Sequence, residues 1–135
     1  MSHENVETFQ RAADAYNAGD FDAVLEAFDP EVEWHAVFQV MLGGTATVCR
    51  GREEVRDYLR ELAEDMVELG LALDEFRDLG ERLVVIGRFG GRGRASGAEI
   101  DAPISFVADF KGGRISRMTD YLDPDKALEV AGLSQ

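Results

Sequence analysis

Near the C-terminus one acidic residue interrupts an apolar alternation, and it is the first place in this sequence where chemistry could reside. Ser116, Met118, Asp120 and Leu122 recur at every second position, so they would share one face of a strand. An aspartate buried between Met118 and Leu122 must either pair with a cation or hold its proton, because burial disfavours the charged form. A carboxyl poised near neutrality is a usable general acid or base. Arg88 is the candidate electrostatic partner. It shares a strand face with Val84 and Ile86, which would carry it into an apolar pocket beside Ile86, where it could also meet an anionic ligand group. Two plainer arrangements compete: an ion pair of Asp120 with Arg88 or Arg117 that only braces the sheet, and an Arg88 left in solvent.

Other reactive types offer less. His35 follows Trp34, so alternation points it away from any pocket that Trp34 enters, and a partly covered sheet histidine is the better reading. Cys49 is the only cysteine, which rules out an intrachain disulfide and a cysteine metal cluster; with no base partner in sight it reads as a structural thiol. No Cys, His, Asp or Glu group has metal-ligand spacing, and no Gly-rich loop joins a strand to a helix as nucleotide binding would need. Any chemistry is therefore expected to be cofactor-free acid/base work. Tyr16, Trp34, Tyr58, Phe106 and Met118 would make an aromatic and thioether lining for a planar apolar ligand, although each could equally be plain core. Arg92-Gly93-Arg94 reads as a solvated turn.

These side chains need elements to position them. Val6, Phe9, Ala13 and Tyr16 have helical spacing, with Gly19 just past the end. Phe21, Val24, Leu25 and Phe28 mark a short second helix that Asp29-Pro30 stops. Val32, Trp34 and Ala36 alternate with Glu31, Glu33 and His35 as in a strand with one buried face, and the apolar stretch from Val37 to Leu42 continues it as a pocket rim or covered strand. Val55, Tyr58, Leu59, Leu62 and Met66 define the apolar face of a third helix. Four strands follow: one around Leu69, Leu71 and Leu73, then Leu83 to Phe89, Ile100 to Phe110 and Arg114 to Leu122. Lys111-Gly112-Gly113 supplies a hairpin turn. Asp123-Pro124 opens a last short helix that Gly132 ends. Helices followed by a run of strands predict an α+β domain, with helices on one face of a strongly curved antiparallel sheet that wraps a cavity.

The bulk properties narrow the partners. A chain of 135 residues with 45% hydrophobic content suits one core, hence a single domain. A net charge of −13 argues against nucleic acid or an anionic membrane. The acidity sits in residues 1–80, with 19 Asp or Glu against 6 Lys or Arg, while residues 81–135 balance at 8 against 8. That half is mostly helical, so solvated helix faces account for it. No apolar run could span a bilayer, and Met1 to Glu7 lacks the basic start and apolar stretch of a signal peptide, so a cytoplasmic location is expected.

The combination of Tyr16-Asn17-Ala18-Gly19-Asp20-Phe21, Glu33-Trp34, Arg50-Gly51-Arg52-Glu53-Glu54-Val55 and Gly113-Arg114-Ile115 leading into Asp120-Tyr121-Leu122-Asp123 resembles SnoaL-like proteins of the nuclear-transport-factor-2-like superfamily. The resemblance covers nearly the whole chain and implies a cone-shaped, cystatin-like fold with a central pocket. It turns the Asp120 face of the last strand into that pocket. It does not imply one reaction, since the superfamily holds isomerases, cyclases, dehydratases, epoxide hydrolases and non-catalytic binders. Where ketosteroid isomerases carry a helix tyrosine, a protonated strand aspartic acid and a proton-moving aspartate, this chain matches Ala12, Phe106 (or Ser105) and Ala36, so that mechanism has no parts here. Against limonene-epoxide hydrolases, Asp120 matches the last-strand aspartate and Arg88 could act as the bridge. The second acid, however, falls near Ile86 or Gly90, and Trp34 and Ala36 replace the tyrosine and asparagine of the water site. Polyketide cyclases of the SnoaL type keep a late acid, a role only Asp120 can fill.

The expectation is thus a pocket protein for a small hydrophobic or amphipathic molecule. As an enzyme it would use Asp120 as acid/base with Arg88 as partner, in a cyclisation, isomerisation or hydration. The alternative is a non-catalytic binding or interaction module, and the convex sheet face suggests a homodimer.

Overall fold

In a computed structural model that describes residues 2–37, 40 and 44–133, the chain runs α1 (Ser2–Asn17), α2 (Phe21–Leu25), β1 (Phe28–Ala36), β2 (Thr47–Arg50), α3 (Gly51–Asp65), β3 (Met66–Asp78), β4 (Arg82–Gly93), β5 (Glu99–Lys111), β6 (Arg114–Tyr121) and α4 (Pro124–Val130). The strands form one curved, unclosed sheet in the order β2-β1-β6-β5-β4-β3. Neighbours are antiparallel except β1 and β6, which pair in parallel and put Trp34 beside Met118.

Helices α1, α2 and α3 pack against the concave side. Val55, Tyr58, Leu59 and Leu62 recur at helical spacing on α3 and are all buried there. Their partners across the core are Leu83, Val85, Phe106, Ala108 and Met118 of the sheet. Full burial of a side chain of this size contributes about 1.5–3 kcal/mol. The convex side carries a second, smaller cluster, in which Ala127 and Leu128 of α4 cover Val84 and Val107, with Ile86 and Tyr121 at its margin. Asp123 caps α4 by accepting from the Asp125 N–H, with Pro124 in the first turn.

Two polar devices fix the helices. The Asn17 side chain donates to the Leu71 carbonyl at 2.9 Å and accepts from the Leu71 N–H at 2.8 Å, pinning the end of α1 to the edge strand β3 and covering backbone groups that would otherwise be open. Arg94 donates to the carbonyls of Ala63 and Glu64, and its N–H bonds Asp65, so it closes the C-terminus of α3. The Arg92-Gly93-Arg94 stretch therefore ends β4 and caps a helix instead of forming a solvated turn. Gly112 and Gly113 both take positive φ, 60° and 82°, in the β5–β6 hairpin. Gly87 serves another purpose: a Cβ there would collide with the Ala72 carbonyl of β3.

Two expectations about the elements change. The second helix ends at Leu25, and Phe28 already starts β1, whose register against β6 is irregular between Phe28 and Glu33. Pro30 lies in that irregular stretch, where its missing N–H breaks no regular ladder. Strand β2 was not foreseen, because four residues are too few to show a period. The expectation for Val37 to Leu42 falls mostly outside the described residues.

Candidate functional site

The concave face and the helices do not fill the space between them. They leave a cavity of about 80 Å³, measured as space open to the centres of water-sized molecules. Its floor comes from β5 and β6, through Ile104, Phe106, Ile115, Met118 and Asp120; its roof comes from α1 and α3, through Phe9, Ala12, Tyr16 and Tyr58. Trp34 of β1 closes one side, stacked on Phe28 (centroids 6.0 Å, 19°) and met edge-on by Tyr58 (5.1 Å, 81°).

Among the described residues, Asp120 is the one charged residue type in this lining. It is 4% exposed, and the indole N–H of Trp34 donates to its Oδ1 at 2.8 Å, with a further hydrogen bond from the Val37 backbone. Burial pushes its carboxyl up from 3.8 to about 7, and the two donors oppose the shift without cancelling it. The Tyr16 hydroxyl is buried with no hydrogen-bond partner, and burial raises its pKa well above the ordinary value. Such an orphan is uncommon in folded proteins and marks a place where a ligand or water can supply the missing bond.

Of the residues named from sequence, Asp120, Tyr16, Trp34, Tyr58, Phe106 and Met118 all line the cavity. Arg88 and Ile86 do not. Arg88 lies on the convex face, 51% exposed, where it pairs with Asp101 at 3.0 Å; Ile86 lies on the same face near α4. The reason is parity: Leu83, Val85 and Phe89 face inward, so Val84, Ile86 and Arg88 face outward. Arg117 is also outside, bonded to Glu33 at 3.3 Å. Asp120 thus has neither of the cations proposed for it.

Ser116 departs from its expected face too. The β5–β6 register slips between Asp109 and Phe110, which puts Ile115 into the cavity lining and leaves the Ser116 hydroxyl donating to the Asp109 carbonyl. His35 points outward as alternation requires and bonds Glu33 at 2.5 Å. That bond, with Arg117 nearby, lowers the Glu33 pKa. Cys49 is buried opposite Trp34 on the neighbouring strand, and burial raises its thiol to about 12, which disfavours the thiolate a nucleophile would need. Sequence reasoning missed Phe9, Leu71, Phe89 and Ile104, each of which lines the cavity. Their inward phase on their own elements was readable, but which part of the core would stay open was not. Among the described residues, no cluster of His, Cys, Asp or Glu could hold a metal ion, and no helix is long and apolar enough to cross a membrane.

Comparison with known proteins places this geometry. Among solved structures, a Burkholderia pseudomallei nuclear-transport-factor-2-like protein of unknown function is 27% identical, covering 93% of this chain and 95% of its own, with a TM-score of 0.79. A Catenulispora acidiphila protein with a ketosteroid-isomerase-like fold, solved in complex with trimethylamine, is 15% identical over 94% and 93% with a TM-score of 0.77. TerC, co-crystallised with polyporic acid, is 21% identical over 96% and 97% with a TM-score of 0.78. No curated protein matches the chain. The family model of the SnoaL-like domain matches residues 9–118, which span the helical roof and the sheet floor of the cavity up to Met118, and the chain belongs to that family.

Proposed function

We propose that the cavity binds a small hydrophobic or amphipathic molecule and that Asp120 acts on it as a cofactor-independent acid or base. The reactions that fit are proton transfers such as cyclisation, isomerisation or hydration. The observation behind this reading is a lone carboxyl in an apolar cavity, with its pKa pushed to about 7 by burial. At that value both protonation states are populated at neutral pH, which is what a group that must give and take a proton requires. The Trp34 and Val37 donors would hold the carboxylate while its proton is on the substrate. The unpartnered Tyr16 hydroxyl would bond a polar atom of the ligand, and Trp34, Tyr58, Phe106 and Met118 would hold its apolar body.

One neighbour was solved with an amine and another with an acid, so the fold does not choose ligand charge. A second reading, binding without catalysis, is favoured by the position of Arg88: among the described residues no cation stands beside Asp120 to steady charge developing on a substrate. Carbon-detected NMR titration of the Asp120 carboxyl, assigned with Asp120→Asn, separates the two. A midpoint near 7 supports the acid/base role; an ordinary or lowered midpoint removes it and leaves the binding module.

A further inference from the structure

The cavity has a charge preference written into its walls. Seven aromatic rings of the described residues line it, and each presents a ring face or edge whose electron distribution matters to a charged guest. Ring faces attract cations, and the strength grows when water is excluded. Asp120 supplies the one formal charge among the lining side chains, and that charge is negative. Among the described residues, Lys, Arg and His are absent from the lining, so a carboxylate or phosphate guest would meet an acid and aromatic faces with no counter-charge from them. The whole chain carries −13, which lowers the potential around the cavity further.

We propose that the cavity selects small organic cations, a protonated alkylamine seating its N–H against Asp120 and its alkyl groups against the surrounding rings. The inference rests on the pocket reading above and adds the class of ligand. It fits the space, since a cavity of about 80 Å³ open to the centres of water-sized molecules takes a guest of a few heavy atoms. It also uses the hydrogen bonds already in place. Trp34 and Val37 donate to the Asp120 carboxyl, an arrangement that favours its ionised form, and an ammonium would complete the set on the side facing the cavity. A neutral guest of the same shape gains the ring contacts but leaves that charge unmatched.

Binding is then linked to the proton on Asp120. Where the carboxyl is protonated, an ammonium must displace that proton, so affinity rises with pH through the Asp120 titration and levels off above it. The other titratable side chains around Asp120 are Tyr16 of α1, Tyr58 of α3 and Cys49 of β2, and none of them is a cation. Burial raises the pKa values of Tyr16 and Cys49, which keeps both neutral through this range.

The test compares two guests of nearly equal shape, tert-butylamine, which is protonated below its own high pKa, and neutral tert-butanol. Trp34 is the only tryptophan, so its fluorescence and its indole N–H resonance both report on the cavity. At pH 8.5 the ammonium should bind about tenfold or more tightly than the alcohol. The preference should shrink steadily on acidification and be gone by pH 5. Asp120→Asn should abolish it at every pH while alcohol binding persists, and the pH dependence of the unaltered protein carries the same information if that variant does not fold. Equal or tighter binding of the alcohol at pH 8.5, or tighter binding of pivalate, overturns the cation preference and leaves the pocket reading standing. Binding of none of the three overturns both.

Discussion

Replacing Asp120 by Asn should alter the pH dependence of folding in a way that can be worked out beforehand. In the unfolded chain the carboxyl releases its proton near its ordinary value of 3.8, whereas in the folded protein burial keeps the proton on until about 7. The folded state therefore binds more protons between these values, and its stability falls as pH rises. The contribution is complete below the unfolded value and is lost by the time pH has passed the folded one. The slope inside the window is about 1.4 kcal/mol per pH unit, so the wild type loses about 2–3 kcal/mol between pH 5 and pH 8 from this group alone. Asn is nearly isosteric and does not titrate. It offers one acceptor oxygen where the carboxyl group has two, which costs about 1 kcal/mol and adds no titration of its own. Urea unfolding followed by Trp34 fluorescence, at fixed ionic strength and several pH values, gives the stability of both proteins. The difference between them should move by about 2–3 kcal/mol in favour of Asn from pH 5 to pH 8. Self-repulsion among the many other acidic groups is common to both chains and largely cancels. A difference that stays flat within about 0.5 kcal/mol, or moves the opposite way, refutes the desolvated carboxyl and with it the acid/base role.

Two further substitutions test how the cavity walls are held. Asn17→Ala removes both hydrogen bonds to Leu71, and should cost about 1–2 kcal/mol in urea unfolding while speeding amide exchange at Leu71; unchanged exchange there would show that the clamp does not hold the edge strand. Gly87→Ala drives a methyl into the Ala72 carbonyl of the neighbouring strand, and should cost more than about 3 kcal/mol or prevent folding. Gly70→Ala, with nothing within 4 Å of the new methyl, is its control and should cost less than about 1 kcal/mol; similar losses at both positions would refute the steric argument.

Much of the site was legible because local period determines facing direction. The alternation of Val32, Trp34 and Ala36, and the placement of Met118 and Asp120 two apart, made those residues share the buried side of their strands, as observed. Arg88 was misplaced for a physical reason. Strand β4 is apolar on both faces: Leu83, Val85 and Phe89 meet the concave core, while Val84 is buried under α4 and Ile86 lies beside it. Periodicity shows that such a strand has two covered faces without saying which one borders a cavity. Ser116 failed differently, because a one-residue slip against β5 reverses facing direction and leaves no mark in the alternation itself.

The sequence by itself determined most of the element types, though not β2, together with the hairpin at Gly112-Gly113, the capped last helix, the family resemblance and the presence of one acid among apolar neighbours on the last strand. These depend on contacts within a few residues, or on patterns that neighbours in the chain share. Tertiary structure alone decided what surrounds that acid. Trp34 reaches Asp120 across 86 positions because β1 and β6 pair in parallel, and Arg88 and Arg117 are turned to the opposite face of the sheet. A carboxyl's proton affinity is set by the few ångströms around it, and those ångströms are filled by residues far away along the chain.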